Sequence, residues 1–119
     1  MTKGQLEARL SEAISRFEIE CMGRGPEKIR TTILGDMIIV RQQGFLSKAE
    51  KNLALTREGV ERIKGLRTAL FENARQNLVE TVNDVVSGTV VSTFSDVSTR
   101  TGEKIVVIIM DRNIEEQIR

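Results

Sequence analysis

Histidine, tryptophan and tyrosine are absent from this 119-residue chain, and cysteine and proline occur once each. Without histidine the chain lacks the commonest metal ligand and the usual general base near neutral pH. Without indole or phenol rings, the platforms on which nucleobases stack reduce to Phe17, Phe45, Phe71 and Phe94. A lone Cys21 forms no internal disulfide. Charge of one sign is not in excess either: 18 basic residues stand against 17 acidic ones, a formal +1, so no global field draws the chain to nucleic acid or a lipid surface. The longest wholly apolar run, Ile105 to Met110, falls far short of the ~20 residues a membrane-spanning helix needs. Glu7, Glu12, Glu18 and Glu20 interrupt the N-terminal apolar pattern, so no secretory signal is expected there and a cytoplasmic location is. Most enzyme chemistries are left without their main actors, and neither a metal nor a cofactor is expected.

What is present is regular patterning. The length suits one domain over 1–119, large enough to hide roughly two-thirds of the surface of its unfolded chain. Leu6, Leu10, Ala13, Ile14, Phe17 and Cys21 recur at helical spacing after a capping box of Thr2 and Gln5, and Gly23, Gly25 and Pro26 stop that helix. Lys28 to Leu34 alternates as a half-buried strand, and Gly35-Asp36 turns it into a second strand over Met37 to Arg41. Ser47 and Glu50 form a capping box for a short helix ending near Leu53. Thr56 caps a long helix whose stripe is Ile63, Leu66, Leu70, Ala74, Leu78, Val82 and Val85, widened by Phe71, Val79 and Val86. Within it, Gly59 and Gly65 each cost ~1 kcal/mol relative to alanine, so the first turn bends there or another backbone comes close. Thr89 to Val97 and Lys104 to Met110 read as a second strand pair, joined by a polar hairpin loop. Asp111 to Arg119 reads as a short terminal helix or tail.

The fold class is therefore α+β, an antiparallel sheet of two β-hairpins packed on helices in the order α-β-β-α-α-β-β. The closing strand is apolar on both alternations, Ile105, Val107 and Ile109 on one side and Val106, Ile108 and Met110 on the other. One helix layer covers only one of those sides, so a second copy of the chain is expected to cover the other.

Few residues are candidates for chemistry. Cys21 lies near Arg24 and Lys28, which would favour its thiolate, but its place in the apolar stripe favours inert packing. The loop Gly23 to Lys28 has the parts of an anion nest, although helix termination explains its glycines and the spacing is not that of a phosphate loop. Arg24, Lys28, Arg30 and Arg41 make a basic strip along the first hairpin. Asp96, Ser98, Thr99, Arg100 and Thr101 gather hydroxyls, an acid and a cation at the second, where turn chemistry alone selects the same residue types. Together these form the candidate anion- or partner-binding set. Asp36, Asp84, Asp96 and Asp111 show no ligand spacing for a metal. RNA binding by the basic strip is disfavoured by the scarcity of stacking rings.

Five blocks carry a resemblance to a known family. Gly23 to Arg30, Gly35 to Arg41, Leu46 to Lys51, Thr56 to Gly59, and Ser95 to Glu103 resemble the small MpsC-like family over nearly the whole chain. The resemblance implies association with a bacterial cation-translocating, membrane-potential-generating system through its membrane components. It implies no established reaction and no catalytic residues. The expected function is a non-enzymatic, homodimeric cytoplasmic accessory or regulatory subunit that binds a protein partner of such a system. An anion or small-molecule sensor and an RNA-binding module are the alternatives.

Overall fold

The computed structural model describes residues 1–118, and Arg119 lies outside the described residues. The elements are α1 (Lys3–Met22), β1 (Lys28–Leu34), β2 (Met37–Gln43), α2 (Lys48–Leu53), α3 (Arg57–Asn83), β3 (Val90–Ser98), β4 (Glu103–Met110) and a 3-10 turn at Glu115–Gln117. This is the α+β order read from the sequence. Both capping boxes form: the Thr2 hydroxyl accepts from the Gln5 amide at 3.1 Å, and the Ser47 hydroxyl from the Glu50 amide at 3.2 Å. Gly23, at φ 88°, closes α1 in the left-handed conformation that glycine adopts without strain.

The two hairpins join into one antiparallel sheet of order β1-β2-β4-β3, with β2 and β4 in the middle. Register fixes what each face carries. Ile33, Ile38 and Ile108 share one row and Thr31, Val40 and Val106 the next, all buried beneath α1 and α3. Leu10, Ile14 and Phe17 of α1 and Phe71, Leu78 and Val82 of α3 complete that core. A smaller cluster of Phe45, Leu46, Ile63 and Val97 seals the end where α2 lies. The chain after β4 is tied down at Ile114 and Glu115. Ile114 is fully buried, its amide donates to the Gly35 carbonyl at 2.8 Å, and Glu115 accepts from the Gly35 amide at 2.7 Å.

One detail of α3 departs from the sequence reading, and a second bears it out at one of its two glycines. Leu66 is 57 % exposed, and Arg67 takes the inward position instead, on the line Ile63, Arg67, Phe71. Arginine is tolerated there because Glu50 neutralises its guanidinium at 2.7 Å and the Phe45 ring lies 4.9 Å beneath it. Gly59 is where a second backbone approaches: a Cβ at this position would stand 1.7 Å from the Leu53 carbonyl oxygen, whereas Gly65 has nothing within 4 Å. Gly59→Ala should therefore destabilise the fold by about 2 kcal/mol or more, and Gly65→Ala should stabilise it by ~0.5–1 kcal/mol. Paired urea titrations check both signs, and equal effects at the two glycines would contradict the close approach at Leu53.

Candidate functional site

Register on the outer face of the sheet, the face without helices, builds a surface in two halves. Leu34, Met37 and Ile109 form one row, and Thr32, Ile39, Val107 and Phe94 the next. Phe94 is 58 % exposed, and Val91 and Leu34 beside this half are equally open. The third row reads Arg30, Arg41, Ile105, Asp96, and the fourth Lys28, Gln43, Glu103, Ser98. Base thus collects on β1 and β2, and acid on β4 and β3.

The structure brings Lys28, Arg30 and Arg41 together, as the basic strip requires. Arg30 faces Arg41 directly across the strand pair. Like charges so placed repel, and Glu103 relieves them by accepting from Arg41 Nη2 at 2.8 Å. That hydrogen bond raises Arg41 above its ordinary range and holds the Glu103 carboxyl below its own. Arg24 lies outside the strip, exposed in the loop after α1. Asp96 is three strands from Arg30, roughly 14 Å at the ~4.8 Å strand spacing. Its carboxylate accepts from the Val97 amide and from Lys64, and these bonds hold it below the usual aspartate range. Ser98 closes the second hairpin by accepting from the Thr101 amide, with Thr99, Arg100 and Thr101 beyond it. Within one chain the two halves of the candidate set are separate surfaces at opposite sides of the sheet. Cys21 is half-buried against the core and accepts from Asn77 Nδ2 at 3.3 Å, the packed position its stripe predicts.

The most unusual electrostatics lie on the helix side, where the sequence reading placed no site. Lys104 Nζ donates to Glu18 at 2.8 Å with both side chains almost fully buried. Burial pulls Lys104 below the usual lysine range, and the Glu18 carboxylate opposes that fall. Arg67 and Glu50 form the second inward pair. Burial raises the Glu50 carboxyl, but the Ser47 amide and the Arg67 guanidinium outweigh it and leave Glu50 below its ordinary value. Gln42 is fully buried opposite Lys104, and neither end of its amide has a hydrogen-bond partner among the described residues. Periodicity carried the signal for these residues. Glu18 sits on the line Leu10, Ile14, Glu18, Met22, and Lys104 on the alternation Lys104, Val106, Ile108, Met110, both inward positions occupied by charge.

Among the described residues no group of three acidic or cysteine side chains could hold a metal ion, and no helix is long and apolar enough to cross a membrane. The fold and its surfaces define a two-layer α+β protein with a buried ionic pair beneath the sheet and an uncovered, charge-divided sheet face. The family model described as "Na+-translocating membrane potential-generating system (MpsC)" matches residues 2–112, and the chain belongs to that family. Two relatives from Bacillus subtilis (strain 168) are similar over most of their length. The uncharacterized protein YbcI is 33 % identical over 117 residues, 98 % of this chain and 94 % of the relative. The uncharacterized protein YrhF is 30 % identical over 108 residues, 90 % and 88 % respectively. No solved structure matches the chain.

Proposed function

We propose that the chain acts as one domain, a non-enzymatic cytoplasmic accessory subunit that works as a homodimer and binds a protein component of a cation-translocating membrane system. Family membership supports the link to a Na+-dependent membrane potential. The observation that carries the dimer is the outer sheet face. Ile39, Val107 and Phe94 there have no helix over them, and the charge beside them is divided so that the face complements itself. A two-fold axis running along the strands between β2 and β4 lays β1 of one copy over β3 of the other. Arg30 then meets the Asp96 edge of its twin, while Ile39 meets Val107. Such an isologous contact buries apolar rows against apolar rows and pairs each basic edge with an acidic one.

The test is genetic and biochemical. Deleting the gene in its native host should reduce the Na+-dependent component of membrane potential, read with a potential-sensitive dye, and the wild-type gene should restore it. A tagged chain should co-purify, in gentle detergent, with membrane subunits of that same system. Unchanged potential in the deletion strain, with no such subunit recovered, would contradict the reading.

A further inference from the structure

We propose that the cleft between α3 and β3 binds a small oxyanion, taking a carboxylate or phosphate group through Arg75, Thr93 and Lys104. The cleft holds about 340 Å³, room for a small ligand, and lies on the helix side of the edge strand β3. Two of its polar atoms are left without a partner. Arg75 Nε and Thr93 Oγ1 are buried there with no hydrogen-bond partner among the described residues, and Thr93 as a whole is only 6 % exposed. Buried polar atoms of folded proteins nearly always find a partner, so two orphans lining one cleft mark a place for a group the protein itself does not supply.

The surrounding charges define that group. Lys104 and Arg75 both lie over the Phe71 ring, at 5.7 Å and 5.8 Å from its centre, so two cationic heads converge on one side chain. Lys104 gives one proton to Glu18 and has two more to donate. The carboxylates lining the cleft are already engaged: Glu72 accepts from Arg75 Nη2 at 2.6 Å, and Asp96 from Lys64 and the Val97 amide. What is left over is the Arg75 Nε–H, the spare Lys104 protons and the Thr93 hydroxyl, which can donate as well as accept. A ligand rich in acceptors and carrying negative charge satisfies Arg75 Nε, the Thr93 hydroxyl and the spare Lys104 protons together, and charge-assisted bonds of this kind are the strong ones.

Nitrogen-15 NMR on the full chain reads this site directly, because arginine Nε–H groups give their own signals. Titration with inorganic phosphate, and separately with acetate, at constant ionic strength set by chloride, should move the Arg75 Nε–H and the Thr93 amide in a saturable way. Saturation by phosphate alone or by acetate alone identifies which oxyanion the cleft takes. Thr93→Val keeps the shape of the side chain and removes the hydroxyl, and Arg75→Gln removes the charge. Each should weaken binding at least about tenfold while leaving the remaining spectrum folded. No saturable shift with either anion, or wild-type affinity retained in both variants, would overturn the proposal and leave ordered water as the partner of these groups.

Discussion

Glu18→Leu is expected to destabilise the fold by about 3–5 kcal/mol, because it leaves the Lys104 ammonium buried beneath the sheet with no countercharge. That is a large part of the ~5–15 kcal/mol by which domains of this kind are stable. The double variant Glu18→Leu with Lys104→Met should regain most of the loss, since an apolar pair of similar volume needs no desolvation of charge. The sign of the pH dependence gives a control. Burial holds Lys104 below the ordinary lysine range, so between its folded and unfolded values the unfolded chain binds more protons and stability rises with pH. Loss of Glu18 lowers the folded value further, so the defect of the single variant should shrink as pH is raised toward the ordinary lysine range. With no tryptophan or tyrosine in the chain, urea unfolding is followed by far-ultraviolet circular dichroism. A single variant that unfolds at the wild-type midpoint would contradict a buried, charged pair.

Val107→Glu should have the largest effect on assembly. Val107 stands in the middle of the outer face, between Ile39 of β2 and Phe94 of β3. Two-fold symmetry places every substitution in the interface twice, so the dimer would bury two unpaired carboxylates among apolar side chains. Dimer dissociation should strengthen at least about a hundredfold, ~3 kcal/mol, while the isolated fold stays intact because the face is open to water in the single chain. The charged rows test orientation. Arg30→Asp and Asp96→Arg should each weaken the dimer, and the two together should restore it. Equal dissociation of wild type and Val107→Glu, measured by sedimentation velocity over a concentration series, would contradict this use of the face.

Where local rules decide the structure, the sequence was a sufficient guide. Thr2 with Gln5 and Ser47 with Glu50 cap their helices, Gly35-Asp36 turns the first hairpin, and β4 is apolar on both alternations. Periodicity places Leu66 on the inward line of α3, which Arg67 occupies instead. The reason Arg67 faces inward is tertiary: its partner Glu50 and the ring of Phe45 come from elsewhere in the chain. Glu18 and Lys104 lie 86 residues apart in sequence, and only the closed sheet makes them a pair. The basic strip was legible because Lys28, Arg30 and Arg41 belong to one hairpin. The cleft between α3 and β3 was not, because Arg75, Thr93 and Lys104 come from three elements and no local spacing relates them.

Sedimentation equilibrium of the wild-type chain at micromolar concentration decides whether a second copy covers the outer sheet face. A particle of twice the 13.4 kDa chain mass is expected. A soluble, folded particle of 13.4 kDa that stays so as concentration rises would contradict it.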